Sequence, residues 1–265
     1  MIWTLIRKDW DWPWSTIPHH QRYSDLMNER EQFLFDLQGF LKVENFLSPE
    51  EVSCLNEAFD ANWDERVDDP NSHAEGGTYG PVRRGMFTGM LTWEQPHCLP
   101  FRDLLAHRKL IPYLNTLFGR GWKMDHSPFM LTGGKGTEGL RIHGSTSRHF
   151  DDSQYYIYRN GQMRCGMIVC QFQLADVNAG DGGMCVVPGS HKANLPCPAP
   201  ILTWDEDRDV VYQVPCKAGD LVIFNEATLH GTLPWTAEHE RRSLRYRYSP
   251  KTLHFAGGTY QVTQP

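Results

Sequence analysis

The sequence lacks the features that usually indicate a nucleic-acid or membrane partner. Its 26 Lys and Arg residues are outnumbered by 32 Asp and Glu residues, which gives a net charge of -6. A chain without a basic surplus has no electrostatic basis for binding a phosphate backbone. No apolar run approaches the roughly 20 residues that a membrane-spanning helix needs. We therefore expect neither nucleic acid nor a membrane as a partner.

Cysteine is also used sparingly and without pattern. The seven cysteines are odd in number and form no C-x-x-C pair, so the sequence contains neither a disulfide framework nor a typical zinc motif. Near the start, Arg7, Lys8 and Asp9 interrupt a very short apolar run, unlike the continuous apolar region of a secretory signal. These features predict reduced thiols and a cytoplasmic location.

The first half of the chain contains two predicted helices and one strand. Apolar spacing predicts a helix over residues 24–37 that ends at Gly39, followed by an extended segment over Phe40–Phe46. Ser48, Pro49 and Glu51 form a capping box that predicts the start of a second helix. The residues expected to face inward are Leu26, Phe33, Leu34 and Leu37 in the first helix and Val52, Leu55 and Phe59 in the second.

A loop region and a further helix precede a second half that consists mainly of predicted strands. Residues 60–98 are rich in Gly, Pro and Asp and predict a long loop region, and a further helix is expected over 100–118, ending at Gly119. From Trp122 onward, short apolar runs alternate with turn residues, down to GTYQVT near the end.

This organisation predicts a mainly β fold with flanking helices, a double-stranded β-helix of the jelly-roll or cupin kind. We expect a single domain over 1–265. Residues 1–121 would form a mostly helical elaboration, and 122–265 the jelly-roll core.

An H-x-D tripeptide, His149-Phe150-Asp151, is the first candidate metal motif. In an extended segment, residues i and i+2 project to the same side, so this imidazole and carboxylate would converge. His230 follows the apolar run DLVIF and would complete a set of two histidines and one carboxylate. Such a set leaves three positions of Fe(II) open for oxygen chemistry.

Polar residues in the later apolar runs are candidates for binding a second ligand. Arg241 lies eleven residues after His230, and its planar guanidinium can bind a carboxylate through two hydrogen bonds, with Arg242 as the next choice. Gln171 and Gln173 alternate with apolar residues and face either the barrel interior or the solvent. His191, in PGSHK, is expected to be structural rather than a metal ligand.

The combined motifs resemble those of the phytanoyl-CoA dioxygenase-like Fe(II)/2-oxoglutarate oxygenases. The resemblance covers most of the chain and rests on four quoted segments and an arginine-led last strand: GFLKVENFLSPEEVSCL, GDGGMCVVPGSHK, GDLVIF and LHG. It implies a jelly roll that holds iron through an H-x-D and a distal histidine, with 2-oxoglutarate and O2 as co-substrates. His230 matches the distal histidine, Arg241 the anchor of the far carboxylate of 2-oxoglutarate, and Thr232 a hydroxyl that assists it.

The proximal ligands depart from the family pattern and leave three alternatives. By position, the first ligand is His143, but its i+2 residue is Ser145 and cannot replace a carboxylate. The favoured set is therefore His149, Asp151 and His230. In the second alternative, His143 and His230 are joined by Asp151 or Asp152. In the third, no carboxylate binds and chloride takes the vacant place, as in the related halogenases.

The function implied by the resemblance is oxidation of a C–H bond of a small organic substrate, with release of succinate and CO2. The alternative outside this enzyme class is a non-catalytic jelly-roll binding protein, since fold alone does not fix function.

Overall fold

The computed structural model describes residues 27–72, 80–119, 121–144, 151 and 153–253. The helices in these residues are α1 (Glu29–Gln38), α2 (Pro49–Ala61), α3 (Leu99–Leu104), α4 (Ile111–Phe118) and α5 (Ala199–Leu202). The strands of the first half are β1 (Phe40–Val43), β2 (Val67–Asp68), β3 (Gly85–Phe87), β4 (Trp122–Met124) and β5 (Phe129–Gly133). Those of the second half are β6 (Leu140–His143), β7 (Tyr156–Arg159), β8 (Gln162–Cys165), β9 (Ile168–Gln173), β10 (Gly183–Val186), β11 (Tyr212–Gln213), β12 (Leu221–Asn225), β13 (His230–Leu233) and β14 (Arg241–Pro250).

Two antiparallel sheets make up the body of the fold. The larger has the order β1-β12-β9-β14-β5-β3-β2, with β4 also paired to β14, and the smaller has the order β11-β10-β13-β6. Strands β7 and β8 form a separate hairpin. Neighbouring strands within each sheet come from distant parts of the chain, as in a jelly roll, so the predicted fold class is confirmed.

The larger sheet has one apolar face, and its other face is apolar in one part and polar in another. Ile168, Cys170 and Phe172 of β9 alternate toward the core shared with the helices. On the opposite face, Val169 packs into a second apolar cluster, whereas Gln171 lies farther along the same strand. The inner face therefore has an apolar part and a polar part, and the candidate site lies beside the polar part.

The predicted capping box is confirmed, whereas the predicted apolar face of α1 is wrong in part. The side chain of Ser48 accepts a hydrogen bond from the backbone of Glu51, whose side chain bonds back to Ser48. In α1, Phe35 is fully buried, whereas Phe33 is 65% exposed and Leu37 is 51% exposed. Apolar residues surround this short helix on several sides, so spacing alone did not identify the side that meets the core.

The helix predicted over 100–118 is two helices. Residues inside a helix donate their backbone N–H to the preceding turn, and Pro112 has no N–H. Pro112 therefore lies in the first turn of α4 rather than inside a longer helix. Gly119 ends α4 with a φ of 74°, as expected.

The N-terminal part of the chain is not only helical. Strand β1 pairs with β12, and β3 pairs with β5, so segments before residue 122 extend the larger sheet. The predicted strand GTYQVT and residues 24–26 of the first predicted helix lie outside the described residues. None of the described helices has the length and apolar character needed to span a membrane.

Candidate metal and 2-oxoglutarate site

Two histidines from distant parts of the chain meet on the smaller sheet. His143 ends β6 and His230 begins β13, and the two residues are cross-strand partners in this antiparallel pair. Their ring centroids are 4.3 Å apart. The strand pairing thus brings together two imidazoles, as a metal centre with two histidine ligands requires.

Backbone hydrogen bonds orient both rings in the same way. The Nδ1 of His143 lies 3.0 Å from the carbonyl oxygen of Arg141, and the Nδ1 of His230 lies 2.7 Å from that of Thr228. Because a carbonyl only accepts, each Nδ1 carries the proton and each Nε2 keeps its lone pair. Metal-binding histidines usually have this arrangement.

Burial keeps both imidazoles neutral. It lowers the pKa of His143 below its usual value, and it lowers the pKa of His230 to about 3, with a further contribution from the neighbouring His143. Neutral imidazoles are the form that binds a metal ion.

A buried carboxylate lies next to this pair. Glu226 is 5% exposed, and its Oε2 is 3.6 Å from the Nε2 of His230. Its Oε1 is 3.6 Å from the Nε of Arg247, and among the described residues it has no hydrogen-bond donor. Burial pushes the pKa of Glu226 upward, but nearby positive charge, including the guanidinium groups of Arg247 and Arg245, brings it below its usual value. Glu226 is therefore ionised.

Arg241 lies on the polar part of the larger sheet. It is 4% exposed, and its Nε donates to the Oγ of Ser243, which in turn donates to the Oε1 of Gln173. Its Nη2 is buried and has no hydrogen-bond partner among the described residues. Burial lowers the pKa of Arg241 to about 10, so it remains charged at neutral pH. This guanidinium needs an acceptor that the described protein does not supply.

Arg245, four residues after Arg241 and on the same face of β14, has a similar environment. Its Nε donates to the Oε1 of Gln171 at 2.7 Å, and burial lowers its pKa to about 9. Gln171 is fully buried, and its Nε2 has no partner among the described residues. Gln171 and Gln173 thus face the interior, one of the two orientations that their alternation allowed.

Thr232 and a large cavity complete the surroundings. Thr232 is buried in β13, opposite Met184 of β10. A cavity of about 760 Å³ borders His143. Its charged lining residues are Asp69, Arg84, Arg141, Arg245 and Arg247.

The other predicted ligands are not brought to this pair by the described residues. His149 and Asp152 lie outside the described part of the chain, as does Ser145, the residue two positions after His143. Asp151 is exposed, and its Oδ1 accepts hydrogen bonds from the backbone N and the Oγ of Ser153. The set of His149, Asp151 and His230 therefore stays a prediction. Within the described residues, no three His, Cys, Asp or Glu side chains are already arranged to hold a metal ion.

The contacts of His191 are with other parts of the fold rather than with the histidine pair. Its Nε2 donates to the carbonyl oxygen of Asp36, and its ring packs against Tyr156 at a centroid distance of 4.8 Å. These contacts join the segment after β10 to α1 and to β7.

Sequence reasoning missed Glu226 and Arg245. Glu226 is the single acid in the stretch LVIFNEATLH, directly after an apolar strand and four residues before His230, and that position was an available signal. Arg245 follows Arg241 at an even spacing in one strand, so it shares the face that was already assigned to Arg241.

Solved structures with the same fold include several iron-enzyme structures. HygX from Streptomyces hygroscopicus, solved with nickel, 2-oxoglutarate and hygromycin B, is 21% identical, with 86% of this chain and 89% of that chain covered and a TM-score of 0.70. SnoK, a non-heme alpha ketoglutarate dependent carbocyclase from nogalamycin biosynthesis, is 17% identical, with coverages of 86% and 85% and a TM-score of 0.61. SnoN, an epimerase of the same biosynthesis, is 19% identical, with coverages of 84% and 82% and a TM-score of 0.59. Comparison with curated proteins gives no match.

A family profile covers most of the sequence. The profile of the phytanoyl-CoA dioxygenase family (PhyH) matches residues 35–243, which include both histidines, Glu226 and Arg241. The chain therefore belongs to the phytanoyl-CoA dioxygenase family and is an enzyme of the iron- and 2-oxoglutarate-dependent oxygenase class.

Proposed function

We propose that this protein oxidises a C–H bond of a small organic substrate, in the simplest case by hydroxylation, using Fe(II), 2-oxoglutarate and O2. In that reaction one oxygen atom enters the substrate and the other enters succinate, while CO2 is released. The observation that carries the proposal is the pairing of His143 with His230 across β6 and β13.

The two histidines fit an iron ion. Both Nδ1 atoms are held by backbone carbonyls, so both Nε2 lone pairs are free for a metal. The depressed pKa values keep these atoms unprotonated at neutral pH, so metal binding does not have to displace protons from them. We assign His143 and His230 as the imidazole ligands.

Arg241 fits the far carboxylate of 2-oxoglutarate. Its unpartnered Nη2 lies on a buried, charged guanidinium, and a carboxylate would supply both the missing acceptor and the opposite charge. Gln171 and Thr232 are further polar groups of the interior, and we propose that they line the same co-substrate site.

The residues of this chain bind, orient and enclose the reactants. Iron and 2-oxoglutarate, when bound, would supply together with O2 the oxidising chemistry that a C–H bond requires. The carbonyls of Arg141 and Thr228 fix the imidazole rings, and Ser243 holds Arg241 in place. The buried position of this face keeps bulk water from the co-substrate.

The cavity beside His143 is the proposed substrate space. Its volume of about 760 Å³ suits a small organic molecule. Arg84 is paired with Asp69 and Arg247 lies 3.6 Å from Glu226, so Arg141 and Arg245 give the lining a positive surplus. This surplus favours a substrate that carries an anionic group.

Anaerobic spectroscopy tests the proposed function without knowledge of the substrate. Adding Fe(II) and 2-oxoglutarate to the purified protein is expected to produce the weak visible charge-transfer band of an iron chelate. Admission of O2 should then yield succinate, measured by mass spectrometry, even without substrate. A protein that gives neither the band nor succinate would contradict the proposal. Anionic compounds can then be screened against neutral ones for a shift of the band.

A further inference from the structure

The turn that joins β12 to β13 is held rigidly against three other segments. Its hydrogen bonds are, in chain order, Asn225 N to Gly39 O, Glu226 N to Met167 O, Thr228 Oγ1 to Gly39 O and Leu229 N to Ser190 Oγ. These bonds fix the backbone on both sides of the Glu226 side chain. The carboxylate is therefore presented to the histidine pair from a preorganised turn.

The protein contacts of Glu226 explain its burial only in part. An ionised carboxylate removed from water needs hydrogen bonds or a cation close by. The Nε of Arg247 is 3.6 Å away, beyond hydrogen-bond distance, and Oε1 has no donor among the described residues. A divalent ion held by the adjacent imidazoles would add positive charge and give the carboxylate a direct partner.

From this geometry we infer that Glu226 is the carboxylate ligand of the metal, in place of an aspartate in an H-x-D motif. The inference rests on the proposed function, because it takes His143 and His230 as the other two ligands. It gives the centre two imidazoles and one carboxylate, the set that suits non-haem iron.

The Glu226 side chain has only a short distance to move toward the Nε2 of His230 for both to bind one ion. Two ligand atoms that each lie about 2.1 Å from an ion, at right angles, are about 3.0 Å apart. The Oε2 of Glu226 is 3.6 Å from the Nε2 of His230, so it must approach by a few tenths of an ångström. The described side chains do not form a complete metal site as they stand, so the inference requires the Glu226 side chain to move until it also reaches an ion held by His143.

The chain near His143 favours Glu226 over Asp151. Gly144 has a φ of 138°, and a Cβ at this position would lie 2.8 Å from the carbonyl oxygen of Thr228, so the end of β6 closely approaches the turn that carries Glu226. Asp151 is exposed, and its Oδ1 already accepts two hydrogen bonds from Ser153. Its carboxylate has a local role in that turn.

Glu226 also separates hydroxylation from halogenation. A carboxylate in the third protein position leaves no place there for chloride. We therefore expect the wild-type metal centre to be insensitive to chloride. The Glu226→Ala variant, with the position vacated, should bind chloride.

Cobalt titration tests the assignment independently of activity. Co(II) is added anaerobically to the wild type, Glu226→Gln and Asp151→Asn, and binding is followed by calorimetry and by visible absorption. Glu226→Gln should weaken Co(II) binding by at least about tenfold, because an amide is a poorer ligand than a carboxylate. Asp151→Asn should bind as the wild type does. Chloride should shift the absorption of Glu226→Ala and not that of the wild type.

The outcomes separate this inference from the proposed function. Equal Co(II) affinity of Glu226→Gln and the wild type, or a loss confined to Asp151→Asn, overturns the assignment of Glu226 alone. A wild type that binds no Co(II) overturns the proposed function as well. If Glu226→Gln does not fold, a crystal structure of the nickel-loaded wild type decides the question. A Glu226 oxygen is expected about 2.1 Å from the ion, and a Glu226 side chain remote from the ion refutes the inference.

Discussion

His143 and His230 are direct cross-strand partners, and both donate Nδ1–H to the carbonyl oxygen two residues earlier in the chain. The two ring centroids are 4.3 Å apart, and the Nε2 of His230 lies 3.6 Å from an oxygen of the buried Glu226. In the proposed metal site, the pairing of the two imidazoles depends on the register of two strands that are far apart in sequence.

Replacing Arg241 should weaken binding of 2-oxoglutarate. In Arg241→Gln the charged partner of the far carboxylate is lost, so the KM for 2-oxoglutarate should rise by at least about tenfold, as expected for a charge-assisted hydrogen bond of about 1.5–3 kcal/mol. The measurement is succinate formation as a function of 2-oxoglutarate concentration.

Arg242→Gln is the matched control for this variant. Arg242 lies on the opposite face of β14, where its side chain bonds Asp60, Glu240 and Asn56. Its substitution should leave the KM for 2-oxoglutarate unchanged. A rise in KM for Arg242→Gln, with Arg241→Gln unaffected, would show that the other strand face binds the co-substrate.

Gln171→Leu should destabilise the protein. The Oε1 of Gln171 accepts from the Nε of the buried Arg245. Loss of this acceptor leaves a buried donor unpaired, which costs about 1–3 kcal/mol of unfolding free energy. Urea denaturation without 2-oxoglutarate measures the change, and an unaltered midpoint would indicate that Arg245 does not depend on Gln171.

Loss of the capping box of α2 should have a smaller and purely local effect. Ser48→Ala removes the side-chain oxygen that accepts from the backbone of Glu51, and we expect a loss of about 1 kcal/mol. Ser53 lies in the same helix with an exposed side chain bonded to Glu57, so Ser53→Ala is the control. Equal midpoints for the two variants in urea would contradict the role of Ser48.

His191 should make stability depend on pH in mildly acidic solution. Burial, assisted by Lys192, lowers the pKa of His191 to about 4 in the folded protein, whereas an unfolded histidine has a pKa of about 6.5. Between these values the unfolded chain binds a proton that the folded chain excludes. The free energy of unfolding should therefore fall as the pH decreases from about 6.5 toward 4, by at most about 1.4 kcal/mol per pH unit.

His191→Phe removes this titration and keeps a ring against Tyr156. Urea unfolding at several pH values should give a shallower pH dependence for the variant than for the wild type between pH 6.5 and 4. Parallel curves for the two proteins would mean that another group is responsible.

The parts of the fold that follow from local chemistry were predictable from sequence. The capping box formed by Ser48 and Glu51 predicts where α2 begins. The alternation in RRSLRYRYS predicts which residues share a strand face with Arg241. The apolar face of α1 was harder because Phe33, Phe35 and Leu37 are close together, and only tertiary packing decides that Phe35 is buried.

The site was only partly predictable, for a physical reason. His230 and Arg241 stand out beside apolar strands, but the partner of His230 depends on which strand lies next to β13 and in which register. The H-x-D motif of His149 and Asp151 is visible in the sequence because its two side chains lie within three residues, and that ligand set stays a prediction. The proximity of Glu226 arises from the fold of the β12–β13 turn, which no short motif records.

The central claim, that His143 is the imidazole partner of His230 at the metal, is tested most directly by comparing His143→Ala with His149→Ala. Each variant is mixed anaerobically with Fe(II) and 2-oxoglutarate, and the visible charge-transfer band is recorded. We predict that His143→Ala loses the band and that His149→Ala keeps it. A band that persists in His143→Ala and disappears in His149→Ala would contradict the account.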